Sequence, residues 1–507
     1  MIKINKIQNL EGKIDSLPTG DVLMIQPRYA FSRSAFEQDS NPYLPIGALY
    51  AGALLEGTGK ATVSYHDSQR RELSKRKDLS NYDTYGITVM GASNIASAGR
   101  TYQELLSQDI EPSKIYFGGQ GIEGLTQEEF QRLFPGANLV SRSVLADNPN
   151  YWSTNISPQL EKLAEEDIKK YFENEVTLLF SQGCKYDCTF CGAQTKQKEE
   201  FFGVADQFRS LAKAAKKVGI YEIKAYVTSL DFFQQALKGG DVGRLEKLLN
   251  ELKEAQEETG VSLKFRALSR ADSYMAATKY PSIMDAAKKA GFYQCGLGAD
   301  GAASVEVLKA MKKGNTSLRS TLIEAFADME KRGIAPEILY VFGVGADTPK
   351  TLEDTLGLCS ELLTEFPTSI YRGFPAKDFI PGNRNWRRSD WKQSSTHSEL
   401  LNDSKNFINL DFTSLGNYIS HPNEEMRKEV NRVAIEMSAK AHELGRVQSF
   451  LTIPEMTTDG RELMSEESFE RLREIIAVYS PVLAEQMTLE NLPELREKIN
   501  ANIPKDR

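Results

Sequence analysis

The sequence predicts an α/β protein in three parts: an N-terminal doubly wound parallel sheet, a central partial (β/α)6 barrel of TIM type, and a helical C-terminal region. Three observations carry that expectation. Short apolar runs alternate with helix-period segments from about residue 21 to 150. A second, longer series starts at Val176 and reaches about Phe379. Beyond about Asn385 the chain turns polar and its periodicity is helical. At about 150 residues per domain, 507 residues allow roughly three domains. The expected boundaries are 1–150 for the sheet, 151–174 for a linker helix, 175–384 for the barrel and 385–507 for the helical region.

In the first series the strands are expected at Val22–Ile25, Ala61–Tyr65, Tyr85–Met90, Lys114–Phe117 and Asn138–Val140. Helical patterns cover Pro45–Leu55, Asn94–Leu106 and Thr126–Leu133. Turn residues fall between them: Gly118-Gly119 after the fourth strand and Phe134-Pro135-Gly136 after a helix. The charged stretch Ser157–Glu173 reads as a helical linker. In the second series the strands are Val176–Phe180, Ile223–Val227, Ser262–Ala267, Gln294–Gly298, Glu337–Phe342 and Ser369–Phe374. Helical patterns between them include Val204–Val218, Gly243–Glu257, Ile283–Ala290, Val305–Met311 and Leu352–Leu363. Right-handed crossovers would bring every strand's C-terminal end to one face, where sites in such barrels sit. In the tail, Glu424–Leu444 and Ser465–Tyr479 are the clearest helices.

Composition narrows the function classes. The chain is 40% hydrophobic and 26% charged, with a net charge of −8 and scattered Lys and Arg. That balance argues against nucleic acid or an anionic membrane as the main partner. No run of 18 apolar residues suggests a spanning helix. The first residues, MIKINKIQNLEGK, lack the apolar core of a signal peptide, so a cytoplasmic location is expected. Five cysteines in a cytosolic chain of this size do not form a disulfide framework.

Three of those cysteines fall within eight residues, Cys184, Cys188 and Cys191, directly after the first barrel strand. Three thiolates on a short loop can hold three irons of a cubane and leave the fourth iron open. An open position is what a substrate-binding metal needs. A zinc knuckle would want a fourth Cys or His close by. His66, His397, His421, His442, Cys295 and Cys359 are all distant in sequence.

The run Cys184-Lys185-Tyr186-Asp187-Cys188-Thr189-Phe190-Cys191 and the strands after it resemble the radical S-adenosylmethionine (SAM) superfamily over about Val176–Asn383. The resemblance implies a [4Fe–4S] cluster whose open iron chelates SAM and whose electron releases a 5′-deoxyadenosyl radical. It places Phe190 near the adenine. In place of the family's Gly-Gly-Glu segment stands Thr228-Ser229-Leu230-Asp231, so Ser229 and Asp231 become the candidates for the SAM amino group. Arg270 would meet the SAM carboxylate, or else pair with Asp272. Gly298 and Asp300, followed by Lys313-Gly314-Asn315-Thr316, and Gly343 in the run to Thr348 resemble the turns that approach ribose and adenine. Each glycine taken singly also reads as a packing residue. Pro381-Gly382-Asn383 matches a turn common after the sixth strand. Such an enzyme implies an electron donor such as flavodoxin or ferredoxin, and a small-molecule or peptide substrate.

A doubly wound sheet binds ligands at the C-terminal ends of its strands, here the loops Gln26–Ser32, Gly91–Asn94 and Gly118–Gly121. Gly119-Gln120-Gly121-Ile122-Glu123-Gly124 matches a dinucleotide fingerprint literally. However, it follows the fourth strand, and no acidic residue ends the next one. Pro45-Ile46-Gly47, Asp67, Gly118-Gly119 and Pro135-Gly136 instead resemble the cobalamin-binding domain that precedes the barrel in one radical SAM class. That resemblance implies Gly91, Ser93, Gly118, Gly119 and Gln120 as cobalamin contacts. Asp-x-His-x-x-Gly is missing, which implies cobalamin held without a protein histidine. Ser141-Arg142-Ser143 replaces the usual Gly-Glu-Gly-Glu, and a sheet that only packs is the alternative.

Together these resemblances imply a cobalamin-dependent C-methyltransferase acting on an unactivated carbon. A radical SAM cyclase, rearrangement enzyme or oxidase is the alternative within enzymes, and an iron–sulfur sensor the alternative outside them. Tyr226, Phe232, Phe233, Tyr371 and Phe374 either line the barrel or fill its core. Cys295 and Cys359 read as buried free thiols.

Overall fold

The computed structural model describes residues 17–28, 43–91, 94–141, 145, 150–193, 199–314, 318–376, 380–393, 395–404, 421, 423–446, 465–492 and 495. They form two compact units. One is drawn from Met1–Thr177, Asp206–Tyr221 and Lys392–Ile408, the other from Leu178–Ala205, Glu222–Trp391 and Asn409–Arg507.

The first unit is built on five parallel strands: β1 (Gly20–Gln26), β2 (Ala61–Asp67), β3 (Thr84–Thr88), β4 (Ile115–Gly118) and β5 (Asn138–Val140). Their order is β2-β1-β3-β4-β5, so the chain reverses direction between β1 and β3. That reversal is the topological switch point of an open sheet. Val22 and Met24 of β1 pack with Val63 of β2 against Ala48 and Leu55 of helix α1 (Ile46–Gly57). Helices α2 (Ile95–Leu106) and α3 (Gln127–Leu133) contribute aromatic residues. Phe117 of β4 stacks on Phe134 at 4.1 Å, with Tyr102 and Phe130 edge-on around that pair. Thr126 starts α3 with a reciprocal cap to Glu129, which satisfies two otherwise orphaned backbone donors.

The charged stretch expected as one linker helix is two short helices, α4 (Ser157–Leu160) and α5 (Glu165–Phe172), and it is packed down. The break falls at Ala164, whose backbone is extended. Gln159 donates to Glu56 and accepts from the Tyr65 hydroxyl, Lys162 reaches Glu56, and Arg70 and Arg71 hold Asp167. Asp67 accepts hydrogen bonds from Tyr171 and Gln69. Burial pushes its carboxyl up to about 6 against those bonds. The helix expected to follow the first barrel strand, α6 (Val204–Lys217), belongs to this unit. There Ser210 bonds to Asn155 and Lys213 pairs with Glu161.

The second sheet has six strands in sequence order: β6 (Val176–Leu179), β9 (Glu222–Thr228), β10 (Ser262–Ser269), β11 (Phe292–Gly298), β12 (Ala335–Phe342) and β13 (Ile370–Pro375). The four neighbouring pairs from β9 to β13 are parallel. Between β6 and β9 lies an antiparallel pair, β7 (Ser181–Gln182) and β8 (Glu200–Phe201). The strands follow one another across the sheet with helices between them, as in an α/β fold.

Side chains alternate along these strands. Ile223, Ala225 and Val227 of β9 and Leu263, Phe265 and Ala267 of β10 are buried. Phe265 packs with Phe232, and Phe292 with Phe232 and Phe233, so these rings are core rather than a site lining. Tyr371 is core as well. Tyr226 lies under the Arg266 guanidinium, 4.6 Å from it. On the alternate positions Glu337, 1% exposed, accepts from Gln294 at 2.8 Å and pairs with Arg372 at 2.7 Å and Arg266 at 3.6 Å. A carboxylate this deep persists only when such partners surround it.

The helices following these strands are α7 (Val242–Thr259), α8 (Ala271–Ala277), α9 (Pro281–Lys289), α10 (Val305–Ala310), α11 (Arg319–Arg332) and α12 (Pro349–Glu365). Two more long helices come from the C-terminal region, Glu424–Glu443 and Glu466–Tyr479. Among the described residues no helix is long and apolar enough to cross a membrane.

Candidate active site: the cysteine loop

Residues 183–193 follow β7, and β7 pairs antiparallel with β8, which starts at Glu200. The loop carries all three cysteines of the motif. Cys184 is 8% exposed, and Cys188 and Cys191 are half-buried. Burial pushes the Cys184 thiol up to about 12 and the Cys188 thiol up to about 11. A thiolate at Cys184 or Cys188 is disfavoured by charge on the neighbouring cysteines, so the three sulfurs share one neighbourhood. Lys313 and Arg270 oppose the shift at Cys188. Both cations would offset the negative charge of a thiolate cluster.

Among the described residues no three His, Cys, Asp or Glu side chains close around a point as one metal ion requires. A single zinc gathers its thiolates at about 2.3 Å from a common centre. A cubane takes each thiolate on a different iron, so its ligands stand further apart. Cys184, Cys188 and Cys191 supply three thiols of the kind that a cubane takes as ligands.

The loop is stitched to its surroundings at several points. Thr189 N donates to Met311 O at 3.0 Å, and Arg384 N donates to Thr189 O at 3.2 Å. Arg384 also pairs with Asp187. Gln234 donates to Gly183 O at 3.1 Å. Phe190 packs on Val307, Met311, Val344 and Ala376.

Several residues expected to touch SAM are engaged by protein groups. Asp231 is fully buried and accepts from Ser269 Oγ at 2.7 Å, Ser273 Oγ at 2.6 Å and Arg270 N at 3.2 Å. It braces the β10–α8 junction. Ser229 meets Ser181 Oγ at 3.0 Å and Glu199 at 3.5 Å. Arg270 is not a rim cation: it is 6% exposed and donates to Asp272 and to Lys313 O. Asp300 pairs with Lys313 at 2.7 Å. A Cβ on Gly298 would stand 2.9 Å from Lys313 Nζ and 3.0 Å from Asp300 Oδ2, so the glycine lets that ion pair lie close to the end of β11. Gly343 has φ +77°, and a Cβ there would meet Val430 at 2.7 Å. The close approach it permits is to the helix Glu424–Glu443.

Glu199 was not evident from the sequence, where it sits in a charged run that reads as solvated. It is 4% exposed and accepts from Ser181 Oγ at 2.5 Å and Gln235 Nε2 at 2.7 Å, closing the base of the cysteine loop. Burial raises its carboxyl from 4.5 to about 7. The folded state thus holds a proton that the unfolded state releases. Its contribution is complete below pH 4.5 and is lost as pH rises to about 7. That difference amounts to about 3 kcal/mol. Glu199→Gln should flatten the stability profile across this window and stabilise the protein above it. Urea midpoints measured from pH 4.5 to 8 would check this, and an unchanged slope would refute it.

In the first unit the switch point is floored by Gln26, which accepts from Thr88 Oγ1 at 2.8 Å and so joins the ends of β1 and β3. Gly91 and Gly118 flank it, and Gln120 is exposed. Ser93 lies outside the described residues. Gly119 has φ +118°, and a Cβ there would stand 2.4 Å from Val89 O. A Cβ on Gly121 would stand 2.4 Å from Gly91 O. These two glycines let the β4 loop lie against the β3 loop, which accounts for the fingerprint match without a dinucleotide. Gly121→Ala must move backbone, so it should cost about 1–3 kcal/mol of stability, readable as a lower melting temperature.

No protein-family model matches the chain, and no curated protein matches it by sequence. Solved structures do. The fold resembles that of a solved radical SAM methyltransferase. That structure is TsrM from Kitasatospora setae, with tryptophan substrate and the SAM analogue aza-SAM bound, which aligns at 15% identity and a TM-score of 0.50, covering 72% of this chain and 75% of that one. A second structure of the same enzyme, with cobalamin and a [4Fe–4S] cluster bound, aligns at 14% identity and a TM-score of 0.48, covering 72% and 77%. HydG, a maturase of the [FeFe]-hydrogenase, aligns over 86% of this chain and 98% of its own at 11% identity, but its TM-score of 0.20 does not describe this fold.

Proposed function

We propose that this protein is a radical SAM enzyme that holds a [4Fe–4S] cluster on Cys184, Cys188 and Cys191 and methylates a small molecule with the help of cobalamin. The observation that carries the reading is the cysteine loop: three neighbouring thiols, following β7 and its partner β8, just after the first strand of a six-stranded sheet. The fold shared with a SAM methyltransferase whose structure holds tryptophan supports methyl transfer and a small substrate. A bound cluster would supply the one-electron reduction of SAM, and cobalamin would supply methyl-group carriage.

This chain's residues fit both groups. The thiols form the donor set, Lys313 and Arg270 oppose charge build-up at Cys188, and Phe190 and its apolar neighbours exclude water beside the loop. Gly91, Gly118, Gly119 and Gln120, which the sequence resemblance names for cobalamin, stand at the C-terminal ends of β3 and β4, where an open sheet takes its ligands. An external one-electron donor of the flavodoxin or ferredoxin kind completes the system.

The test is metal content after anaerobic purification from cobalamin-fed cells, followed by SAM cleavage under a strong reductant. About four irons and one cobalt per chain, with cleavage, are expected. Four irons without cobalt would keep the radical SAM reading and remove methyl transfer through cobalamin. No iron and no cleavage would overturn both.

A further inference from the structure

Tyr186 stands in the spacer between Cys184 and Cys188. The Arg270 guanidinium lies over its ring, 3.8 Å from the centroid, and Lys185 Nζ is 5.4 Å from the same ring. Arg270 itself is fixed: Nε and Nη2 donate to the two Asp272 oxygens at 2.9 and 3.3 Å, and Nη2 donates to Lys313 O at 2.7 Å. The Tyr186 hydroxyl donates to Asp272 Oδ2 at 3.4 Å. One buried side chain thus joins the cysteine loop, the β10–α8 junction and the turn after α10.

We propose that Tyr186, Arg270 and Asp272 form a clamp that shapes the cysteine loop before any cluster arrives. They are positioning residues for the thiols, not groups that touch the nucleotide. The inference rests on the proposed function only in taking this loop for the cluster site. The physical case is geometric. A guanidinium is planar, so it can lie flat on a ring while its edge donates to a carboxylate and a carbonyl. An ammonium has neither the plane nor the fork. A desolvated cation over an aromatic face is among the stronger contacts available to a short loop. Without it, the loop would regain conformational entropy that cluster assembly must then remove.

The test uses the full-length, metal-free protein. Iodoacetamide modification of each cysteine is followed by peptide mass spectrometry in wild type, Tyr186→Phe, Tyr186→Leu and Arg270→Lys. Tyr186→Phe keeps the ring and should match wild type. Tyr186→Leu and Arg270→Lys should raise the modification rates of Cys184, Cys188 and Cys191 about tenfold, equivalent to about 1.4 kcal/mol of loop ordering. Cys295 and Cys359 are both fully buried and should stay unreactive. Unchanged rates in the last two variants would overturn the clamp. So would a Tyr186→Phe that behaves like Tyr186→Leu, or reactivity that spreads to Cys295 and Cys359, since the effect would then not be local. Weaker SAM binding in Arg270→Lys with wild-type thiol rates would also overturn it and return Arg270 to the SAM carboxylate. The readout needs no cluster. A wild type that binds no iron would sink the enzyme reading and leave the clamp to stand or fall on these rates.

Discussion

Replacing any one of Cys184, Cys188 or Cys191 by Ala should yield a folded protein that retains no stable [4Fe–4S] cluster and cleaves SAM only at background. In a cubane held by this loop each thiolate would bind a different iron, so losing one would leave a second iron open and the cluster held by two bonds. The fold should tolerate the change. The thiol is small and contributes little packing, so the structural cost is about 1 kcal/mol. Iron and sulfide content together with the reduced-state paramagnetic resonance signal would read the outcome. Cys295→Ala and Cys359→Ala serve as controls, since both thiols lie in the core away from the loop. If a single loop variant kept full iron and full cleavage, the ligand set would be wrong.

Asp231→Ala should be the most destabilising single change near the site, by about 3 kcal/mol or more. Two hydroxyl donors and one backbone N–H converge on that carboxylate. Removing it strands them away from water, at about 1–3 kcal/mol for each donor left unpaired. Burial raises the Asp231 carboxyl while Ser273, Ser269 and the Arg270 backbone pull it down, and the net direction is upward. Its contribution to stability is therefore complete below pH 3.8 and falls as pH rises. Asp231→Asn keeps an acceptor and removes the charge, so it should lose less than Ala; neither variant titrates at this position, so the deficit of each against wild type should shrink by the same amount towards neutral pH. Urea unfolding of both variants at pH 5 and pH 8 would check this. An Asp231→Ala protein of wild-type stability with impaired SAM binding would instead make Asp231 a ligand contact, as the sequence resemblance first implied.

The strands were legible because they are apolar and spaced by turn residues. Asn138–Val140 is the same in sequence and structure, the other strands of the two parallel sheets differ only at their ends, and the short pair β7 and β8 was not expected. The cysteine loop was legible because C-x3-C-x2-C is rare and local. The engagements of Asp231, Arg270 and Asp300 were not, because their partners come from other loops. Asp231 is answered by residues 269–273, Arg270 by Lys313 and Tyr186, and Asp300 by Lys313 and Val341. A motif shows that a polar side chain stands at a strand end, but not whether another loop has claimed it. Gly343 shows the same limit, since the helix that fills its missing Cβ lies more than 80 residues later. The two-helix break at 157–172 was hidden because a charged, helix-prone run carries no internal stop signal.

The helix Glu424–Glu443 has a practical meaning for anyone expressing parts of this protein. It packs against β13, the last strand of the six-stranded sheet, with Met437 Sδ 3.2 Å from the Tyr371 hydroxyl and Val430 seated over Gly343. Terminal strands invite pairing with other chains unless something blunts them. A fragment stopped after Pro375 would keep every strand and every cysteine of the motif, yet it would bare the surroundings of Tyr371. Such a fragment should precipitate or form inclusion bodies, whereas one carried through Glu443 should remain dispersed.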